Sequence, residues 1–241
     1  MESTRRAAAP RPARRSVRRA RRPRSRGSEP AEPAVCSYDP SCSCNHPNDR
    51  RRTVILLILG VALWSLAHLF PVATAGTRRR LLTRVGEPAY KGSFSLVVVA
   101  SLVMMVLGWR ATTPVPVYAP PSWGVHATQL ALFVAVGLFV VSALPTNAKR
   151  VLRHPQLSGL AVWSGGHLLA NGDQRSLILF GGLGLWALLS IFLINRRDGD
   201  WRKPDPRPRS ADVRVALVAV GAYLALYFAH PLFAGVTLPM P

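Results

Sequence analysis

The sequence predicts an all-α protein: a polytopic membrane helix bundle of six transmembrane helices, preceded by a disordered, arginine-rich N-terminal tail. The 241-residue chain combines a formal net charge of +20 with 49% hydrophobic residues, which a soluble globular chain does not easily accommodate. The charge lies in the tail and the loops, whereas the apolar residues form long runs. Strongly basic loops also alternate with loops that have almost no charge. This arrangement is typical of polytopic membrane proteins.

Residues 1–52 form the arginine-rich tail, and residues 53–241 are expected to form one transmembrane domain. The tail has arginine pairs at positions 5–6, 14–15, 18–19 and 21–22 and contains no lysine. Such a composition cannot bury a core, so we expect the tail to be disordered. Arginine-rich segments also bind nucleic acids or anionic lipids. Because no aromatic residues alternate with these arginines, bases have nothing to stack on, and we expect no nucleic-acid partner.

Six apolar runs follow the tail, and each except the fourth is near the roughly 20 residues that a spanning helix needs. They cover residues 53–70, 94–109, 126–144, 157–170, 177–194 and 213–228. The fourth run would form a helix of only about 21 Å. It can cross the bilayer only if the polar residues at its ends, such as His154 and Asn171, lie at the interfaces or inside the bundle. No acidic residue lies inside the runs, so a carboxylate proton relay is not expected.

The basic residues of the loops predict on which side of the membrane each loop lies. The loops after the first, third and fifth runs are strongly basic, whereas the alternate loops contribute only Arg110 and Arg175. The positive-inside rule therefore places the basic loops in the cytoplasm and both termini on the opposite side. The basic residues concerned are Arg78, Arg79, Arg80, Arg84 and Lys91; Lys149, Arg150 and Arg153; and Arg196, Arg197, Arg202, Lys203, Arg207, Arg209 and Arg214.

Three arginines directly before the first run, at positions 50–52, conflict with this orientation because they favour a cytoplasmic N-terminus. One interpretation is that the segment before Val54 is an artefact of start-site choice and that translation begins at Val54. The other is that the tail is real and lies outside, or that the topology is different. The three loops outweigh the single flank, so we follow the loops.

The stretch 153–173 holds the strongest candidate site. It is apolar enough to enter a membrane, yet it carries His154 at its start and His167 inside it. Ionisable side chains at membrane depth are costly and are usually functional. Gly165 and Gly166, directly before His167, leave open volume that a flat ligand or a close helix could use. Ordinary packing of helices through small residues is the alternative interpretation.

A Trp-Ser-x-x-His pattern occurs twice, ending at His68 in the first run and at His167 in the fourth. In each helix the tryptophan lies four residues before the histidine and therefore on the same helical face. Coincidence is the alternative, since Trp and Ser are common in such helices. His126 and His230 lie near the opposite face of the membrane and are expected to be interfacial. All three cysteines precede the first run, so the membrane region has no thiol to ligate a metal.

Five short segments in a fixed order resemble one known family. They are residues 66–71 (LAHLFP), 86–96 (GEPAYKGSFSL), 119–123 (APPSW), 153–155 (RHP) and 167–173 (HLLANGD). On these segments the chain resembles the NnrU family of integral membrane proteins over about residues 54–238. That family also includes the plastid and bacterial 15-cis-zeta-carotene isomerases.

The resemblance implies two possible activities and one cofactor. The NnrU branch is associated with denitrification, where it supports nitrite or nitric oxide reductase activity. The isomerase branch binds b-type haem through histidines and isomerises the central double bond of a poly-cis carotene. The family's haem histidines correspond to His68 and His167 here. His154, at the cytoplasmic boundary, could replace either ligand or hold a propionate. The isomerases also carry a cysteine near the second histidine, and the corresponding residue here is Ser164.

We therefore expect an integral membrane protein of the bacterial inner membrane that serves as an accessory factor for nitrogen-oxide respiration. Its expected partners are the lipid bilayer and a respiratory nitrite or nitric oxide reductase. Heme b is the expected cofactor, with His68 and His167 as metal ligands and His154 as a further cofactor-binding residue. No catalytic residue is assigned. The alternatives are a haem-dependent isomerase of a poly-cis carotenoid, and a transporter or membrane scaffold without a cofactor.

Overall fold

A computed structural model describes residues 47–234. Most of the predicted tail, up to residue 46, and residues 235–241 lie outside the described residues. The described chain is all-α, as predicted, and its first helix already begins within the segment assigned to the tail. The helices are α1 (Pro47–Ala73), α2 (Ala75–Val85), α3 (Glu87–Ala111), α4 (Gly124–Ala143), α5 (Pro155–Ala170), α6 (Gln174–Asp198) and α7 (Arg209–Ala234).

Five helices, α1, α3, α4, α6 and α7, are long and apolar enough to cross a membrane. They identify the chain as an integral membrane protein. The prediction of six transmembrane helices is thus confirmed for five of the apolar runs and not for the fourth. That run forms α5, which has 16 residues, a length of about 24 Å against the ~30 Å of a bilayer core. Pro155 fixes the start of α5, and the polar sequence from Asn171 to Asp173 ends it.

Helix α2 occupies a segment that the sequence analysis treated as a basic loop. It carries Arg78, Arg79, Arg80 and Arg84, which the positive-inside count assigned to the cytoplasmic side. The helix is nevertheless regular, because arginine and leucine are good helix formers. The segment from residue 112 to residue 123 is non-helical, as its prolines predict.

The bundle is built around two close helix pairs. Helix α1 packs along α3, and α4 packs along α5. Helix α6 contacts both α1 and α5 and lies between them, while α7 packs against α4. Glycines permit the closest approach in the first pair: Gly108 of α3 lies against the backbone of Leu57, and Gly60 of α1 lies against Met105. Small residues allow helix backbones to approach in this way in membranes.

Helix α6 contains one wide turn, in which residues Leu177–Gly181 are π-helical. Asp173 caps the start of this helix, because its carboxylate accepts hydrogen bonds from the backbone N–H of Ser176 at 3.2 Å and from the Ser176 hydroxyl at 2.6 Å. The wide turn holds Phe180, which is buried. Such turns are frequent at functional sites.

At the opposite end of the bundle Asp212, in the first turn of α7, joins that helix to the segment after α4. Its carboxylate accepts hydrogen bonds from the Thr146 hydroxyl at 2.6 Å and from the Asn147 backbone and side-chain N–H groups at 2.8 and 2.7 Å. A carboxylate suits the first turn of a helix, where it complements the helix dipole. These bonds fix the ends of α4 and α7 against each other.

Candidate functional site

His68 and His167, the two histidines predicted as ligands, make the same local hydrogen bond. In each, the ring Nδ1 lies 2.9 Å from the carbonyl oxygen four residues earlier, that of Trp64 for His68 and that of Trp163 for His167. A carbonyl oxygen only accepts, so Nδ1 must carry the hydrogen. In the neutral ring Nε2 then keeps a free lone pair. This is the tautomer in which histidine binds metals, with the other nitrogen held by a carbonyl group.

Aromatic rings surround His167. Its imidazole stacks on Phe180 of α6 with ring centres 4.4 Å apart and an interplanar angle of 23°. Trp163, one turn earlier in α5, lies 4.5 Å away, and it also meets Phe180 edge to face. Trp109 of α3 completes the cluster by meeting Phe180 at 5.8 Å. The tryptophan of the repeated pattern therefore contacts its histidine, as the spacing predicts.

His68 has an aromatic environment of its own. Its ring centre lies 4.2 Å from that of Trp64, 5.3 Å from Trp186 of α6 and 5.4 Å from Phe94 of α3. The indole N–H groups of Trp64 and Trp186 are buried and, within residues 47–234, have no hydrogen-bond acceptor. Buried donors without a partner are rare in proteins. Two of them beside one imidazole provide a place for an acceptor atom of a ligand or for a bound water.

The two glycines before His167 have different surroundings. Gly165 matches the interpretation of open volume, and Gly166 matches the interpretation of close helix packing. No atom lies within 4 Å of where a Cβ on Gly165 would be, so this side of the helix is open. Gly166 is buried against α4, where a Cβ would lie 3.0 Å from that of Ala131. Its carbonyl oxygen also accepts a hydrogen bond from Thr128 at 2.7 Å. Gly166 therefore serves helix packing, whereas Gly165 leaves free volume.

Ser164, three residues before His167, faces α6. The residue is 2% exposed, and its hydroxyl has no hydrogen-bond partner in the described part of the chain. Gly184 of α6 lies opposite, and a Cβ added to it would be 3.0 Å from that of Ser164. A serine at this point of α5 is small enough for close packing against α6 and provides no thiolate.

His68 and His167 contact different residues of α6. The first touches Trp186 and the second touches Phe180, which are separated by about 9 Å along the axis of α6. Helix α6 lies between α1 and α5, which carry the two histidines. Each imidazole suits a metal by its tautomer.

His154 lies apart from His167. It precedes the first residue of α5, about 20 Å along the helix from His167. Its Nε2 lies 2.8 Å from the side-chain oxygen of Asn195, near the end of α6. His154 therefore joins the start of α5 to the end of α6. Among residues 47–234 no three His, Cys, Asp or Glu side chains form a metal-binding group.

The turn that ends α5 is hydrogen-bonded to the proline-rich loop between α3 and α4. The carbonyl of Gly172 accepts hydrogen bonds from the backbone N–H groups of Val117 and Tyr118, at 2.8 and 3.1 Å. The Tyr118 hydroxyl in turn donates to the carbonyls of Leu168 and Asn171 at the C-terminal end of α5. These carbonyls would otherwise lack partners. The proline-rich loop thus covers the end of the helix that carries His167.

Arg175 is a further site residue that the sequence analysis counted only as an exception among the loops. Its guanidinium lies 4.4 Å from the ring centre of Trp109 and donates to the Thr112 carbonyl at 3.3 Å. It also lies 3.5 Å from the Asp173 carboxylate. A lone arginine at the border of an apolar run was the only signal for this role. No comparable signal indicated Phe94, Phe180 or Trp186, because apolar spacing does not distinguish such residues from ordinary core residues.

The sequence model of the NnrU protein family matches residues 56–238, which includes all of α2 to α7 and most of α1. The chain belongs to the NnrU family. The match confirms the resemblance stated from the five segments. Searches of curated proteins and of solved structures found no match for this NnrU-family chain. Because neither search identifies a relative with a described site, the site is characterised by the geometry of its histidines.

Proposed function

We propose that this NnrU-family protein is an accessory factor for nitrogen-oxide respiration in the bacterial inner membrane, where it supports a nitrite or nitric oxide reductase. The observation that carries the proposal is the family match over residues 56–238, joined to two imidazoles whose Nε2 atoms are free. Ser164 favours this function over carotenoid isomerisation, because the isomerases carry a cysteine there. A cofactor-free transporter or scaffold leaves the repeated Trp–His units unexplained.

The experiment is complementation in a denitrifying bacterium from which this gene has been deleted. We expect the deletion to lower nitrite or nitric oxide reductase activity, and the wild-type gene to restore it. The variant His167→Ala should fail to restore activity, whereas His126→Ala should restore it, since His126 is exposed at the start of α4. Full reductase activity in the deletion strain would overturn the proposal. Conversion of a poly-cis carotene by the purified protein would instead establish the isomerase alternative.

The proposal includes a b-type haem bound by these histidines. The free Nε2 of each imidazole supports it, as do the apolar walls around them. When bound, the haem would supply redox chemistry. The backbone carbonyls of Trp64 and Trp163 would orient the imidazoles of His68 and His167 through their Nδ1 hydrogen bonds. His68 and His167 are the two proposed protein ligands of the iron.

The absorption spectrum of protein expressed with added haem tests this point. We expect a Soret band without thiolate features, because no cysteine lies in the membrane region. His68→Ala and His167→Ala should each remove or reshape the band, because each would take away one of the two proposed ligands. His126→Ala is the matched control and should leave the band unchanged. Protein without any Soret absorbance would rule out the haem.

The proposal also places the short helix α5 within the bilayer as a sixth crossing, with the three basic loops in the cytoplasm. The positive-inside rule supports this orientation. A reporter enzyme fused after Pro241 should then behave as an exported protein. A fusion between α4 and α5, after Val151, should behave as cytoplasmic. If both fusions report the same compartment, α5, α6 and α7 do not provide the predicted three crossings.

A further inference from the structure

Helix α2 and the start of α3 line an open basic pocket of about 340 Å³. Arg78, Arg79 and Lys91 line it together with Glu87 and Tyr90. Lys91 is paired with Glu87 at 2.7 Å, and this pair is largely exposed. Arg78 and Arg79 have no carboxylate within 4.0 Å in the described part of the chain. The pocket therefore keeps a net positive charge carried by two guanidinium groups.

A second, apolar groove of about 180 Å³ lies beside the basic pocket, between α1 and α3. Ala67, Phe70, Phe94 and Val97 line it. Tyr90 borders both spaces, so the basic pocket and the apolar groove are adjacent. The hydroxyl of Tyr90 is buried and has no hydrogen-bond partner within residues 47–234. The Arg78 guanidinium lies 5.7 Å from the centre of the Tyr90 ring.

The position of α2 places this pair of spaces at the surface of the membrane. The helix follows directly on α1, which is long enough to span, and it carries four arginines. Leu81 and Val85 on the same helix are 37% and 48% exposed. Basic side chains combined with exposed apolar ones are typical of helices that lie in the interface between headgroups and acyl chains. A cationic pocket at this depth meets the phosphates of anionic lipids.

We propose that α1, α2 and α3 form a binding site for one anionic phospholipid. Its phosphate lies between Arg78 and Arg79, and the Tyr90 hydroxyl donates to one of the lipid oxygens. One acyl chain occupies the groove along Phe94 and Val97. Planar guanidinium groups bind phosphate through paired N–H donors, which gives the headgroup its selectivity. Because Phe94 also contacts the ring of His68 at 5.4 Å, the bound acyl chain borders the aromatic surroundings of that histidine.

The test measures lipid binding to delipidated full-length protein in a neutral detergent. Phosphatidylglycerol is titrated, the melting temperature is followed, and bound lipid is counted by native mass spectrometry. We expect saturable stabilisation with one tightly bound lipid, and no comparable effect from phosphatidylcholine. The variant R78Q/R79Q should bind phosphatidylglycerol about 30-fold more weakly, since each arginine near the surface contributes a factor of about five. The control R202Q/K203Q removes the same charge from an exposed loop and should bind as the wild type does.

A second pair of variants tests the groove independently of the charge. Val97→Phe fills the groove and should weaken binding, whereas Leu96→Phe, at a position that is 71% exposed, should not. Equal stabilisation by phosphatidylcholine, or unchanged binding by both R78Q/R79Q and V97F, would show ordinary annular lipid and overturn the proposal. Stabilisation by inorganic phosphate alone, at matched ionic strength, would assign the pocket to a free anion and overturn it as well. If R78Q/R79Q does not fold, V97F against L96F decides.

Discussion

Replacing Gly108 by alanine is expected to lower the free energy of unfolding by about 3 kcal/mol, the upper range for overpacking a close interface. The new Cβ would lie 2.6 Å from the backbone nitrogen of Leu57 and 2.8 Å from its Cα. Backbone atoms cannot turn aside as a side chain can. Helices α1 and α3 must therefore move apart along the interface that contains the fully buried Leu57. Unfolding in detergent, followed by circular dichroism, measures the loss.

The matched control is Gly92→Ala in the same helix, where nothing lies within 4 Å of the added methyl group. Alanine is favoured over glycine in helices, so this variant should be as stable as the wild type or slightly more stable. Equal stability of the two variants would contradict the close approach of α1 to α3.

Replacing Gly172 by alanine should have an effect of similar size at the same end of the bundle, where Gly172 lies against the loop that follows α3. The added Cβ would overlap the carbonyl oxygen of Tyr118 and lie 3.1 Å from Pro120. The loop must then withdraw, and the bonds that join it to the turn after α5 are lost. They include those from Val117 and Tyr118 to Gly172 and from Gln174 to Val115. At about 1 kcal/mol for each hydrogen bond, the loss is roughly 3 kcal/mol.

Hydrogen exchange distinguishes this local effect from general unfolding. In Gly172→Ala the last turn of α5, which carries His167, should exchange faster, because Tyr118 no longer covers its carbonyl groups. The control is Gly165→Ala in α5 itself, where the added methyl group meets open space. That variant should keep the protection of the wild type. Unchanged exchange in both variants would mean that the loop does not hold the end of α5.

Residue patterns were sufficient for the helices and for the local surroundings of each histidine. The apolar runs predicted the five long helices, and Pro155 together with the polar turn after Ala170 explains why the fourth run is too short. The four-residue spacing of Trp and His predicted that Trp64 contacts His68 and that Trp163 contacts His167. These are contacts within one helix, which depend only on helical geometry.

The order of the helices in the bundle could not be predicted in the same way. The repeated pattern contains no information about α6, which contacts both of the helices that carry the histidines. Trp186 and Phe180 become site residues only through that packing. Helix α2 was missed for another reason: charge identifies the side of the membrane on which a segment lies, and the same arginines are compatible with a helix.

The wide turn at Leu177–Gly181 determines how α6 can change in length during evolution. A π-helical turn contains one more residue than an α-helical turn does. The helix after it therefore faces the same way as in a regular α-helix that is one residue shorter. If these residues formed a regular α-helix, everything after Gly181 would be turned by about 100°. Phe180 and Trp186 could not then both face their histidines. A homologue that lacks one residue in this turn could therefore keep both contacts with a straight α6, whereas the same deletion beyond Gly181 would rotate the rest of the helix.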